Sequence, residues 1–244
     1  MARLWRLYHP DLPDESGAEV LVGSEDSHHA RKVLRLREGD EIALFDGAGH
    51  EWVTRMIGSE GERVQLRLER RLLEPQTEAP LEVVLFQGLL RPERMDWVVQ
   101  KATEVGIAVI HPFVSERAET RGAGKNKLER WRRIAVESCK QCGRRQLPRI
   151  EPLEALPGAP EGDSPALLLQ PGPGSTPLSD LCDGPAPASV QIAVGPQSGF
   201  TPEEVETHER AGWRSTALGP RILRADTAGA ITAAILLHRW GDLG

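Results

Sequence analysis

Two glycine- and proline-rich stretches carry the residues best suited to holding a small polar ligand: Val194-Gly-Pro-Gln-Ser-Gly-Phe200 and Leu218-Gly-Pro-Arg-Ile-Leu-Arg-Ala-Asp-Thr-Ala228. Each follows an apolar, strand-like run and each leads into a helical pattern. Turns of this kind bring backbone amides and carbonyls together on one ligand, and glycine lets the main chain come close to it. The second stretch adds a cation, Arg224, and a carboxylate, Asp226. The carboxyl-terminal third is therefore the expected site of chemistry.

Other groupings are weaker on inspection. Cys139-Lys-Gln-Cys142 has the spacing of a redox or zinc pair, but a zinc site needs about four ligands and the remaining cysteine, Cys182, is far along the chain. Both sulfurs fall on the apolar side of a helical pattern, so packing is their expected role. His28 and His29 are adjacent and so do not share a helix face as two metal ligands should; one of them touching an anionic partner is the better reading. Gly122-Ala-Gly-Lys125 fails the phosphate-loop pattern, because Glu119 stands where its first glycine is required and Asn126 follows the lysine. No Gly-x-Gly-x-x-Gly or Gly-x-Ser-x-Gly is present. No metal is expected.

The elements that must position the two loops can be read from periodicity. Residues 1–72 show short alternating runs, such as Glu41-Ile-Ala-Leu-Phe45 and Arg63-Val-Gln-Leu-Arg-Leu68, separated by Gly-Asp and Asp-Gly turns, which predicts a small β-barrel. Within it Ser27 to Arg37 reads as a short helix whose Val33, Leu34 and Leu36 face the barrel. Residues 73–80, with two prolines, form the expected linker. From Leu81 strands and helices alternate, which predicts an α/β domain with a parallel sheet over 81–244. Its helices are Glu93–Val105, Asn126–Arg144 (Leu128, Trp131, Ala135, Cys139 and Cys142 inward; Arg130, Arg133, Lys140 and Arg144 outward), one opened by the capping box Thr201-Pro-Glu-Glu204, and Thr227–Trp240.

Charge is segregated. The net value of −6 over 244 residues conceals eleven Lys or Arg against three Glu between Arg117 and Arg149, and ten acidic residues against one Arg between Ile150 and Arg210. A focused positive surface on an acidic chain suits an anionic partner, phosphate above all, against the plainer reading of a solvated helix face. No apolar run reaches the ~18 residues of a membrane span, the amino terminus lacks a signal core, and three cysteines fit a reducing compartment, so a cytoplasmic protein is expected.

The two loops, together with Arg94-Met-Asp-Trp-Val-Val-Gln-Lys-Ala-Thr-Glu-Val-Gly106, Glu137-Ser-Cys-Lys-Gln-Cys-Gly-Arg144 and His29-Ala-Arg-Lys-Val-Leu-Arg35, resemble the RsmE family of 16S ribosomal RNA (uracil-N3) methyltransferases over nearly the whole chain. The resemblance implies a SPOUT-type α/β domain with a carboxyl-terminal trefoil knot that binds S-adenosylmethionine, a PUA-like RNA-binding barrel before it, and a homodimer acting on 16S RNA in the small ribosomal subunit. Carried onto this chain, it assigns Leu169, Gly195, Pro196, Gln197, Gly199, Leu218, Gly219, Ile222 and Leu223 to the cofactor. Two positions depart from the family pattern. Gly-Pro-Glu-Gly-Gly is here Gly195-Pro-Gln-Ser-Gly199, and Arg-Thr-Glu-Thr is Arg224-Ala-Asp-Thr227. The first replaces a carboxylate by Gln197, which cannot act as a base.

For methylation at uracil N3, Arg224 is the candidate to stabilise an anionic base and Asp226 the candidate proton acceptor, with capping of the last helix as the structural role of Asp226. Arg31, Lys32, Arg35, Arg91, Arg117 and Arg144 are candidate phosphate contacts, Arg91 foremost because it follows a strand's carboxyl end. Arg94 is expected to pair with Glu93 or Asp96. Two other readings share the scaffold: a ribosome-associated RNA-binding protein without activity, and a methyltransferase acting on transfer RNA.

Overall fold

The computed structural model describes residues 4–73, 77–118, 125–160, 162, 164–182 and 184–244. The centre of the expected linker, 74–76, and the run 119–124 with its glycines lie outside the described residues. The chain forms two compact units, Met1–Glu78 with Val136–Leu147, and Ala79–Ala135 with Pro148–Gly244.

The first unit is a five-stranded sheet. Its strands are β1 (Arg6–Tyr8), β2 (Glu19–Leu21), β3 (Glu41–Phe45), β4 (Glu51–Glu60) and β5 (Arg63–Arg71), in the order β1-β3-β4-β5-β2. Alternation along β5 buries Val64, Leu66 and Leu68 against Ile42, Leu44 and Met56, as period-2 patterning requires. Between β2 and β3 the chain makes α1 (Ser24–His28) and continues as a π-helical turn through His29–Val33. That wider turn, followed by Arg35 at φ 55°, rotates the side chains away from the simple helical expectation. Leu34 and Leu36 pack on the core, but Val33 is 62% exposed, so its expected inward placement is corrected.

In the second unit seven strands form one sheet with every pairing parallel: β6 (Glu82–Gly88), β7 (Val109–Phe113), β8 (Arg149–Ile150), β9 (Ala166–Leu169), β10 (Thr176–Pro177), β11 (Ser189–Val194) and β12 (Arg214–Ala217). The order is β10-β12-β9-β11-β6-β7-β8. Its central strands bury both faces and so read as continuous apolar runs, such as Ala166-Leu-Leu-Leu169. The helices are α2 (Pro92–Val105), α3 (Lys125–Cys142), α4 (Leu178–Leu181), α5 (Pro202–Arg210) and α6 (Ala225–Trp240). Helix α2 starts on Pro92 and stops at Gly106, whose φ of 109° suits a left-handed cap. It buries Met95, Val98 and Ala102 against the sheet and α6.

Helix α3 belongs to both units. Its first part lies with the second, where Trp131 and Ala135 are buried. From Val136 the chain belongs to the first, a division that differs from boundaries at 72 and 80 alone. There Cys139 is buried, its sulfur 3.6 Å from the Gln146 carbonyl oxygen, in keeping with a packing role. Arg6 donates to the carbonyls of Cys139 and Arg144. Lys140 pairs with Asp26 at 2.6 Å. Arg6 and Arg145 grip the two oxygens of buried Glu51, at 2.6 and 2.9 Å. Arg144, expected outward, is buried, because Glu78 takes its Nε and Nη2 at 3.0 and 2.9 Å.

Candidate active site

The two loops meet at the carboxyl edge of the parallel sheet. Residues Gly195–Phe200 follow β11, and residues Leu218–Arg224 run from β12 into α6. With Gln170 and Pro171 after β9, and Leu90 after β6, they enclose a cavity of about 560 Å³. Its apolar wall comes from Leu90, Leu169, Val194, Leu218, Leu223 and Ala228.

Close backbone packing shapes the first loop. Gly88 ends β6 directly beneath it, where a Cβ would stand 2.6 Å from the Pro196 nitrogen. Gly195 is less tightly held, its Cβ position lying 3.1 Å from the Phe200 ring and 3.2 Å from the Gly199 carbonyl carbon. Gly199, at φ 70°, closes the turn by donating its N–H to the Pro196 carbonyl at 2.9 Å. Beyond it Thr201 caps α5, accepting from the Glu204 N–H while the Glu204 carboxylate accepts from the Thr201 N–H. The same carboxylate accepts from the Glu116 N–H at 2.9 Å. Arg117 then reaches the carbonyls of Ser198 and Phe200 at 3.4 and 3.3 Å, and the Ser198 hydroxyl donates to the Arg117 carbonyl. The loop is stapled on its outer side.

The second loop turns on Gly219, at φ 117°. Arg224 caps α6 through its carbonyl, which accepts from Thr227 and Ala228 at 2.9 Å. Its side chain is exposed and makes no hydrogen bond or ion pair among the described residues. Helix α6 starts two residues earlier than the sequence indicates, so Asp226 lies inside its first turn and the expected capping role is corrected. A carboxylate there still complements the positive helix end. Asp226 is 6% exposed; Arg94 on α2 gives Nη1 to its Oδ2 at 2.5 Å, and the Thr227 hydroxyl donates to its Oδ1 at 3.0 Å. Arg94 therefore pairs with neither Glu93 nor Asp96. Arg130 takes Asp96 instead.

Of the residues assigned from sequence, Leu169, Gly195, Pro196, Gln197, Gly199, Leu218, Ile222, Leu223, Arg224 and Asp226 line the cavity together, with Gly219 in the turn between them. Ile222 is 80% exposed and lies at the rim. Arg117 lines the cavity but is spent on the loop carbonyls, and Arg91 does not line it. Arg31, Lys32 and Arg35 are exposed in the first unit, Arg31 donating to the Glu62 carbonyl. Arg144 is buried on Glu78 and is not presented to a phosphate. Arg94, Gln170, Thr216 and Arg221 also form the wall and escaped the sequence reading. For Arg94 only its place on the first turn after a strand could have pointed there.

In the first unit, the hydrogen bond from the Cys139 thiol is the largest of several effects on Cys142, ahead of opposing burial, and draws its thiol down to about 6. The same contact, with burial, pushes Cys139 well above the usual thiol range. No group of three or more His, Cys, Asp or Glu among the described residues could hold a metal ion, and no described helix is long and apolar enough to cross a membrane.

Residues 77–237, which span the parallel α/β domain and its glycine-loop cavity, match the RNA methyltransferase domain family, and residues 22–69 match an RNA methyltransferase PUA domain. Ribosomal RNA small subunit methyltransferase E of Synechocystis sp. is 32% identical over 89% of this chain and 72% of that protein. Its counterpart from Buchnera aphidicola subsp. Acyrthosiphon pisum is 28% identical over 91% of this chain and 88% of its own. A crystal structure of ribosomal RNA small subunit methyltransferase E from Neisseria gonorrhoeae, bound to S-adenosyl methionine, shares 29% identity with a TM-score of 0.89, covering 99% of this chain and all of that one. The chain belongs to the ribosomal RNA small subunit methyltransferase E family.

Proposed function

We propose that the protein methylates N3 of one uridine in the 16S RNA of the small ribosomal subunit, using S-adenosylmethionine, in the cytoplasm. The observation that carries this is the meeting of both glycine loops around one cavity in a chain of this family. The residues fit the cofactor. A volume of about 560 Å³ lies within the roughly 300–1,000 Å³ of small-molecule sites, its wall is apolar at Leu90, Leu169, Val194, Leu218 and Leu223, and Gly88 lets the first loop pass where a Cβ would collide with it. When bound there, S-adenosylmethionine supplies an electrophilic methyl group on a sulfonium. Leu169, Val194, Leu218 and Leu223 would hold its adenine in an apolar slot, and the main chain of Gly195–Gly199 and Leu218–Leu223 would orient it.

The target base would enter from the rim, unstacked from its RNA, between Ile222 and the exposed side chains of Arg221 and Arg224. Four arginines and one aspartate make the described wall net positive, which suits RNA phosphate and an anionic uracil alike. Arg31, Lys32 and Arg35 in the first unit offer further phosphate contacts on what we take to be a PUA-like barrel.

We take the second unit to carry a trefoil knot. Supporting this, the chain crosses from β11 past β9 to β12 and then returns through Leu218–Arg224 to α6, which packs on β6, β11 and α2. A homodimer is proposed from Ile231 and Ile235, one turn apart on α6 and both exposed; sedimentation equilibrium giving a monomer mass would refute it. The functional test is incubation with methyl-labelled S-adenosylmethionine and small subunits lacking the modification. Label mapped by mass spectrometry to N3 of one 16S uridine is the expected outcome. Label on transfer RNA alone, or none despite cofactor binding, overturns the substrate assignment.

A further inference from the structure

Removing the N3 proton ordinarily calls for a general base, drawn from His, Asp, Glu, Lys, Tyr or Cys. Among the described residues the cavity wall offers one such group, Asp226; its other charged members are Arg94, Arg117, Arg221 and Arg224. Asp226 is already engaged at both oxygens, by Arg94 and by Thr227. A proton placed on it would give up the ion pair with Arg94. Burial is unequal across that pair, the Asp226 side chain being 6% and the Arg94 side chain 52% exposed. The carboxylate lies underneath and the guanidinium is open at the wall.

We propose that Arg94 is the cation that stabilises the uracil anion and that Asp226 is the positioning residue that aims it, so that the N3 proton leaves to water and not to a side chain. This rests on the uracil-N3 reading above and reassigns Asp226, expected as proton acceptor. The N3–H bond breaks and its proton passes to solvent at the open rim. The electron pair left on N3 forms the new bond to the methyl carbon, and the pair of the breaking carbon–sulfur bond returns to sulfur, leaving it neutral. Arg94 is better prepared for this than Arg224, whose side chain has no anchor, or Arg117, which is held by the Ser198 and Phe200 carbonyls. A guanidinium fixed in advance needs no reorganisation as charge develops. Arg91 and Glu93 share its turn of α2, Asp96 is neutralised by Arg130, and α6 contributes Asp226.

The test is single-turnover methylation of small subunits by the full-length protein over about pH 6 to 9, with S-adenosylmethionine affinity measured by calorimetry. Arg94→Ala should lower the rate about 10²- to 10³-fold at the acid end without weakening cofactor binding, the typical effect of losing one stabilising donor. Its deficit should shrink as pH rises, since an already ionised uracil no longer depends on the cation, and Arg94→Lys should recover part of the rate. Asp226→Asn, which leaves Arg94 present but less well aimed, should cost about tenfold, less than Arg94→Ala, with a smaller deficit of the same pH dependence. The inference is overturned if Asp226→Asn loses more than Arg94→Ala, the mark of a missing base, since a residue acting only through Arg94 cannot cost more than Arg94 itself, or if Arg94→Ala matches wild type. Failure of the wild-type protein to methylate small subunits strikes the underlying reading instead, which separates the two.

Discussion

At the scale of single residues, the site depends on atoms that are missing as much as on those present. Gly88 contributes no side chain to the cavity, yet an alanine there would place its Cβ 2.6 Å from backbone nitrogen and 2.8 Å from the Gly195 carbonyl carbon. Gly88→Ala should therefore displace the first loop and weaken S-adenosylmethionine binding at least tenfold, at a stability cost of about 1–3 kcal/mol; calorimetry and thermal melting read the two effects separately. Cys142 permits a second prediction. Held as thiolate by the Cys139 thiol, with a pKa of about 6 in place of 9.0, it should alkylate in the native protein with half-maximal rate near pH 6, while Cys139 stays unlabelled. Because the native value is depressed, the Cys142 contribution to stability is complete above the ordinary thiol pKa and lost as pH falls through about 6. Equal labelling of both sulfurs, or a midpoint near 9, would contradict the assignment. Both glycine loops were legible in the sequence because Gly and Pro mark turns by local sterics alone. The Arg94–Asp226 pair was not, since its members are 132 positions apart and the pairing exists only once α2 and α6 pack.

Among the elements, α5 does more than cross over between strands. Glu204 completes its capping box and also accepts from Glu116, tying the helix start to the segment that carries Arg117 and so to the first loop. Glu204→Ala should cost more than an ordinary cap, about 2 kcal/mol, and lower cofactor affinity although Glu204 does not line the cavity. Glu204→Gln, which can still accept hydrogen bonds, should recover part of both. Thr201-Pro-Glu-Glu204 announced the helix start correctly, whereas the bond to Glu116 spans 88 positions and has no local signature. The last helix shows the opposite limit. It is apolar almost all round, so periodicity could not assign its faces, and its start was misplaced because Asp226 looks like a cap when its ion pair is unknown.

For the whole molecule, the exchange of residues 136–147 into the first unit is the feature that composition could not reveal. Arg144 reads as outward surface charge, yet it is buried on Glu78, as Arg145 is on Glu51, and both partners lie more than sixty positions away. It follows that a fragment ending at Glu78 is not a self-sufficient domain. It would lack Arg145, leaving buried Glu51 with Arg6 alone, and removing one partner of a buried ion pair costs about 3–5 kcal/mol. Residues 1–78 expressed alone should show poorly dispersed amide resonances and no cooperative thermal transition, and a chain joining 1–78 to 136–147 through a flexible linker should regain both.

The same exchange imposes an order on biosynthesis. Amino-terminal units of a chain generally fold while the rest is still being translated, at about 5–20 residues per second. Here the five strands of the amino-terminal sheet are all complete by Arg71, but Arg6 must wait for the carbonyls of Cys139 and Arg144, 133 and 138 positions downstream, so the unit is completed only after α3 has been made. Through the synthesis of β6, β7 and α3 the carboxylate of Glu51 has Arg6 but not yet Arg145, so the last ion pair of the first unit to form waits on the second half of α3 and the turn after it.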